Sequence, residues 1–454
     1  MEKEMHYDAI IVGGGPAGLS IGSELSKNYN ILVIEKNTAG KTNRSWFVPL
    51  DVVDEDIKPY TYGGVTRFLA KTFLGANLSF RAKLFDRYPY INENTILPHW
   101  VNIIKDNNSQ ITDNCEYKNH TIDNGIVSVE TTKGVYTGRL LIDASGYNSG
   151  IVEKYKIDRR NFYWWSVFGA IGEHPNGLGG MEIGDYMMWQ TFRDTNLHID
   201  TSLENGRPVF EYEILNENTS FSLILYLRKQ QMSRDEMEKE YMHVIRNEDS
   251  TKQFRDITIK ELKYGWYPSG TLSQQIAEDH VVFAGDAGCW TTPCGWGMGF
   301  ILDNYKYFSQ QISKALATNS LDKKSLLSIP HYKAHQKYEI LMNAIATHFL
   351  SNASAYQLDK FINLFYTVDP ILCEKTFTLK MTEKELVEML KAVLKTFDLR
   401  ELMHIIPKQD YLLVLEEAKY FMEDSVVSEI HNLFDCFQKH RIQSRLNNGF
   451  DFVR

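Results

Sequence analysis

The chain of 454 residues carries a few groups whose types and spacing suit chemistry. The first is Gly13-Gly-Gly15-Pro16-Ala17-Gly18, placed directly after an apolar run at residues 8–12 and before a helix-like stretch at 19–27. Gly13 allows a tight turn, Gly15 lets the backbone approach a pyrophosphate, and Gly18 lets helix and strand pack closely. Pro16 and Ala17 belong to the same turn, and the helix start beyond it offers unpaired N–H groups and a positive dipole end to the phosphates. A second apolar run at 31–34 ends in Glu35 and Lys36, about twenty residues past the glycines, where a carboxylate holds ribose hydroxyls.

The second group follows a strand-like run at 280–284. It reads Gly285-Asp286-Ala-Gly-Cys289-Trp290-Thr-Thr-Pro293-Cys294-Gly295-Trp296-Gly297-Met298-Gly299 and leads into a helix starting near Phe300. A carboxylate at Asp286 suits a polyol chain, and the helix start suits an anionic ring edge. Two such elements more than two hundred residues apart imply a cofactor longer than a single βαβ unit can hold.

Acid–base candidates lie elsewhere. Glu211 and Glu213 share one strand face at period two and serve as proton donor or acceptor if buried; solvated strand carboxylates are the plainer alternative. Cys294 and Cys289 bracket Trp290, and a thiol at a helix N-terminus is a proton donor or adduct former. Trp290 and Trp296 are placed to stack on a flat ring. Tyr212, Tyr226 and Trp189 suit cavity lining, and core packing explains them equally well. His174 and His198 have no partner at ligand spacing, so no metal is expected.

The elements that position these groups are a mixture of strand and helix signals. Alternation at 126–130 and 134–137 reads as a hairpin, followed by a strand running into Asp143-Ala-Ser-Gly146. Runs at 164–171, 187–193, 209–215 and 221–227 are rich in aromatic and β-branched residues and predict an antiparallel sheet in a separate lobe. A charged amphipathic helix is predicted over 233–246, and from about residue 299 the chain reads as helix. Residues 51–110 give a mixed pattern.

Bulk properties bound the class. Hydrophobic residues make up 43% and charged residues 24%, as in an ordinary globular chain. The formal net charge of -9 argues against sequence-independent nucleic-acid binding. Aromatic residues reach 13%, which suits a deep cavity for a flat or greasy ligand. The five cysteines (115, 289, 294, 373, 436) form no paired framework, and no apolar stretch is of bilayer length or reads as a secretory leader, so a cytoplasmic location is expected.

Residues 8–25, 140–149 and 283–299 together resemble the glutathione-reductase-type FAD flavoproteins, in the branch of aromatic hydroxylases, flavin-dependent halogenases, geranylgeranyl reductases and lycopene cyclases. Arg44-Ser-Trp46, the Asp143–Ser149 turn region and Gly265-Trp-Tyr-Pro268 lean toward the last two. The resemblance implies an α/β fold: a Rossmann-like FAD-binding domain (1–50, 120–155, 275–325), an inserted antiparallel substrate domain (51–119, 156–274) and a helical region (326–454). It implies FAD, with Glu35 on the adenosine ribose, Asp286 on the ribityl chain, Pro293 to Gly299 along the pyrimidine edge and Arg44 reaching the phosphates. Trp296 and Met298 stand where the family usually has glycines. The halogenase signature Trp-x-Trp-x-Ile-Pro is missing, and the acidic pair of lycopene cyclases does not appear near 221–228.

The expected activity is FAD-dependent reduction or oxygenation of a hydrophobic small molecule such as a polyene, isoprenoid or aromatic lipid. The alternatives are a non-redox cyclase or isomerase and, behind it, a halogenase. With no second glycine-rich dinucleotide turn, electrons come from transiently docked NAD(P)H or an external flavin reductase. Cys294, Glu213 and Trp296 are the catalytic candidates. Helices near 386–394 and 398–406 wall the cavity or offer an apolar mouth to a membrane surface.

Overall fold

The computed structural model describes residues 6–72, 74–157, 162–190, 208–270, 275–290, 297–378, 380–398 and 400–401. Their apolar runs build two large sheets and a small one. The first sheet places its strands in the order Ala277–Glu278, Val281–Phe283, Gly134–Asp143, His6–Val12, Ile31–Ile34 and Gln110–Thr112. The four strands in its middle are parallel and apolar on both faces, as a sheet covered on both sides must be. Their register is in step: Val12 lies beside Ile34 on one side and Asp143 on the other, and Asp143 lies beside Phe283. The turns that leave these strands therefore emerge together at one edge. That edge is where ligands bind open parallel sheets.

Helices Pro16–Leu25, Glu93–Asp106 and Gly297–Thr318 bury Leu19, Ile21, Trp100, Ile104, Tyr305 and Phe308 against one face. The antiparallel hairpin Tyr117–Asp123/Ile126–Thr131 and helix Gly150–Lys154 cover the other. Helix Glu93–Asp106 and strand Gln110–Thr112 thus attach to the first sheet. Within the 51–119 segment assigned to a substrate domain, the strands before residue 93 join the other two sheets instead.

The second sheet runs Thr258–Ser269, Tyr163–Glu173, Thr219–Arg228, Val209–Ile214, Asp185–Gln190, Arg67–Lys71 and Asn77–Arg81. It is antiparallel apart from the pair Asp185–Gln190 and Arg67–Lys71. Alternation splits its residues between two faces. Phe168, Phe210, Tyr212, Ile224 and Tyr226 point outward beneath helix Arg234–Asn247, whose start is closed by a Ser233–Glu236 capping box. Trp165, Val209, Leu223, Leu225 and Leu227 face inward, with Tyr267 and Leu350 packed against them. A three-stranded sheet, Ser45–Phe47, Tyr88–Asn92 and Thr61–Val65, bridges the two larger sheets.

The strands between 61 and 92 escape a sequence reading for local reasons. Gly63 and Gly64 interrupt pairing, with a register shift between Tyr62 and Val65, and Pro89 sits inside a strand. Pro98 similarly lies within helix Glu93–Asp106. After residue 318, helices Lys323–Ser328, Gln336–Asn352, Ala355–Leu364, Pro370–Thr378 and Glu383–Thr396 follow. No helix among the described residues is long and apolar enough to cross a membrane.

Candidate functional site

A cleft of ≈ 300 Å³ opens at the carboxyl edge of the parallel strands. Its walls include Gly13, Gly15, Pro16, Ala17, Glu35, Lys36, Arg44, Gly285, Asp286, Gly297 and Met298. Sequence positions as distant as Gly13 and Ile301 thus line one space. Gly13 adopts φ +114°, and a Cβ there would fall 2.2 Å from the Ala144 carbonyl oxygen. At Gly18 it would fall 1.9 Å from the carbonyl of Gly13, so Gly18 works by close packing under the cleft. Gly299 also lies outside the walls, its Cα facing Pro49. Pro293, Cys294, Gly295 and Trp296 lie outside the described residues.

Gly15 differs from both. No atom stands within 4 Å of where its Cβ would be. It is the N-cap of helix Pro16–Leu25, and no side chain caps that helix start. The first-turn N–H groups therefore point into free space, which is the geometry for a phosphate. Glu35 is fixed beside them: its Oε2 accepts from the Gly14 N–H at 2.7 Å and its Oε1 from the Asn37 N–H at 2.8 Å.

A second set of contacts orients the cation of the cleft. Fully buried Glu93 accepts from Arg44 Nε at 3.0 Å and from Trp46 Nε1 at 2.8 Å. Burial opposes the Arg44 charge, but Glu93 and then Asp286 outweigh it, so the guanidinium is held protonated. Burial, followed by the Asp286 charge, raises the Tyr147 hydroxyl above its ordinary value. Asp286 thus lies within electrostatic reach of Arg44 and Tyr147. Tyr147, Asn148, Tyr267 and Pro268 also line the cleft. Their family motifs were visible in the sequence, but aromatic and amide side chains in a turn carried no signal of ligand contact.

An open phosphate cradle, a cation, a carboxylate at each end and a flat aromatic wall match an extended dinucleotide with a ring at one end. FAD fits this donor set. Glu35 and Lys36 would hold the ribose end, Gly15 and Arg44 the pyrophosphate, Asp286 the ribityl chain, and Met298 and Tyr267 the ring.

Beyond the cleft, Glu211 and Glu213 occupy the inward face of the second sheet. Glu211 is paired with Leu223 and Met188, and Glu213 with Phe221 and Tyr186. Glu213 is buried. Burial, then the neighbouring Glu211, pushes its carboxyl up to about 8. Burial likewise raises Glu211 to about 7, against an opposing hydrogen bond from Tyr186. The solvated alternative therefore fails for Glu213, whose burial favours the neutral form, while Glu211 is half-buried beside it. The bridging sheet contributes Phe47, Tyr62 and Tyr90 to the same cluster, one residue from Trp46 in the cofactor cleft.

Other expectations are corrected by the alternation of the strands. Of the two places open to Tyr212 and Tyr226, the structure takes the core: they pack outward beneath helix Arg234–Asn247, and Tyr226 donates to Glu240. Trp290 is not a ring gate, since it is buried in the core against Phe300 and Phe308. Cys289 is buried in a left-handed conformation, φ +59°, at the end of the Gly285–Gly288 turn. His174 is buried, bonded to Ser220, and lowered by burial. His198 lies outside the described residues, as does the side chain of Trp189. Asp303, His335 and Glu339 converge, but Lys333 and Lys380 pair with them, which makes the cluster an ion-pair network.

Comparison with known proteins agrees with this geometry. Residues 10–157 match the family model described as pyridine nucleotide-disulphide oxidoreductase. Among curated proteins, (R)-mandelonitrile lyase 4 and (R)-mandelonitrile lyase 3 of Prunus serotina are 33% identical over 102 and 101 residues. Those matches span only 18% of either relative's length. In fold, the chain is similar to a geranylgeranyl bacteriochlorophyll reductase-like protein of Thermoplasma acidophilum, with a TM-score of 0.63 at 15% identity, covering 91% of this chain and 98% of that one. The halogenase PltM, solved with FAD, gives 0.62 at 9% identity, covering 96% and 97%. A p-nitrophenol 4-monooxygenase of Pseudomonas putida gives 0.58 at 14%, covering 86% and 99%. In fold the chain is similar to FAD flavoproteins, and its residues 10–157 match a pyridine nucleotide-disulphide oxidoreductase family model.

Proposed function

We propose that this FAD-dependent oxidoreductase reduces an activated double bond in a hydrophobic small molecule, of polyene, isoprenoid or aromatic-lipid type. The observation that carries the reading is the pair of half-buried Glu211 and buried Glu213 on the inward sheet face, raised to about 7 and 8. FAD, when bound, supplies two-electron redox chemistry. Reduction of a double bond also needs a proton, and Glu213 holds one at neutral pH. A general acid works best with its pKa near the operating pH. Leu223, Leu225, Val209 and Trp165 form a buried apolar cluster on the same sheet face, a surround that excludes water.

The same pair supports a second reading. A non-redox cyclase of lycopene-cyclase type needs a strong acid group near 221–228, and Glu211 and Glu213 stand directly across from Leu223 and Phe221 on the adjacent strand. Electrons for the redox reading come from docked NAD(P)H or a separate flavin reductase. Exposed Leu74, Tyr356, Tyr366 and Ile371 support a peripheral lipid contact near the helical region; Tyr366 bonds back to Asn77 beside the Leu74 turn.

The test is anaerobic stopped-flow spectroscopy of the purified flavoprotein. Reduced flavin that is reoxidised by a polyene or enone substrate supports the redox reading. Product formation with the flavin staying reduced supports the cyclase. Reoxidation by oxygen alone, with substrate hydroxylated, would replace reduction by oxygenation.

A further inference from the structure

We infer that the substrate carries an uncharged carbonyl-type oxygen, received by the Tyr90 hydroxyl and the Glu213 carboxyl acting as hydrogen-bond donors. The inference rests on the proposed apolar site and names the chemistry of its ligand. Tyr90 lies on strand Tyr88–Asn92, opposite Phe47 and Tyr62 in the bridging sheet. Its side chain is 2% exposed, yet its hydroxyl oxygen has no hydrogen-bond partner. A buried hydroxyl left unpaired costs about 1–3 kcal/mol, and such groups in folded proteins need an explanation. By contrast, neighbouring Tyr88 satisfies its hydroxyl on Glu374 at 2.5 Å.

The surroundings specify what the missing partner is. Glu213, Tyr62 and Asp185 are the charged or polar groups that act on Tyr90. Asp185 is already engaged by a bidentate pair of bonds from Arg67, both 2.6 Å. Glu211 accepts from Tyr186. The partners of Tyr90 on adjacent strands are Phe47 and Tyr62, and those of Glu213 are Phe221 and Tyr186. The one cation named here, Arg67, is committed to Asp185, which leaves none of these residues to neutralise a carboxylate or phosphate, and an unpaired buried anion is expensive. A phenol and a neutral carboxyl both donate to a carbonyl lone pair. A neutral oxygen acceptor satisfies both. Tyr62, 45% exposed with its ring 5.6 Å from that of Tyr90, forms the open edge of the cluster.

The experiment titrates FAD-loaded protein with naphthalene and with 2-acetylnaphthalene, following perturbation of the flavin spectrum. Wild-type protein is expected to favour the ketone by about tenfold, one net hydrogen bond. Tyr90→Phe and Glu213→Leu should each cut that preference without weakening naphthalene binding, whereas Glu213→Gln, whose amide N–H still donates, should keep most of it. Tyr90→Phe loses no native hydrogen bond, so its melting temperature should hold or rise. Equal binding of the two probes to wild type would overturn the inference while the apolar site stands. A destabilised Tyr90→Phe that keeps the ketone preference would also overturn it. Failure of both probes to bind would instead count against the apolar site itself.

Discussion

The Gly14 amide donates a 2.7 Å hydrogen bond to Oε2 of Glu35, tying the glycine turn of one strand to the end of the next. The same carboxylate accepts from Asn37 at 2.8 Å, so Glu35 builds the cleft before any ligand arrives. Glu35→Ala leaves two backbone donors without their acceptor. Its ligand-free form should lose about 1–3 kcal/mol, read as a lowered urea midpoint; an unchanged midpoint would mean these two bonds add nothing.

Glycines 15 and 18 separate packing from binding. Gly18→Ala forces a Cβ to 1.9 Å from the Gly13 carbonyl oxygen and should unfold or severely destabilise the chain. Gly15→Ala meets no atom within 4 Å and should fold normally, yet its methyl occupies the space in front of the helix start. Circular-dichroism melts should therefore match wild type for Gly15→Ala, with FAD affinity reduced tenfold or more, an order-of-magnitude figure from the loss of phosphate–amide bonds. Tight FAD binding by this variant would place the phosphates elsewhere.

Glu93 is a positioning residue. It is fully buried and bonds both Arg44 and Trp46. Removing one partner of a buried pair typically costs about 3–5 kcal/mol; Arg44 is half exposed, so the cost here is smaller. Glu93→Gln should keep the Trp46 bond and weaken FAD binding through a loosened Arg44. Rising ionic strength should weaken FAD binding less in the variant than in wild type. Identical salt profiles would remove Arg44 from phosphate recognition.

The carboxyl pair gives a pH signature. Glu213 is raised to about 8 and Glu211 to about 7, above the ordinary value of 4.5. The folded state therefore binds protons that the unfolded chain has released between those limits. Their stabilising contribution is complete below pH about 4.5 and is lost as pH rises through about 8. The wild-type advantage over Glu213→Gln should shrink across that window, measured as a difference in melting temperature. Turnover should fall on the alkaline side with apparent constants belonging to the pair. A flat difference, or an alkaline rise in turnover, would show that Glu213 is ionised in the folded state.

Much of the cofactor site was legible because its signals are local. A glycine turn, a strand-terminal acid and a Gly-Asp turn each declare a backbone geometry within a few residues, and the in-step register of four parallel strands brings them together. The second sheet was legible as strands, since Trp165 to Ile171 and Phe221 to Leu227 alternate cleanly. Which face looks inward was not, because alternation alone is symmetric between faces. For that reason the sequence leaves Tyr212 and Tyr226 open between cavity wall and core, and the structure takes the core, while Glu211 and Glu213 lie on the inner face. The bridging sheet was hidden by Gly63, Gly64 and Pro89, and with it the place of Tyr90 beside Glu213.

The central claim is that Glu35 and Asp286 grip opposite ends of one FAD, and titration with FAD and with ADP tests it most directly. Glu35→Ala should weaken both ligands, by about ten- to a hundredfold for a lost charge-assisted bond. Asp286→Ala should weaken FAD to a similar degree while leaving ADP affinity at the wild-type value. An Asp286→Ala variant that binds FAD as tightly as wild type, or a wild-type protein from which ADP fails to displace FAD, would contradict the account.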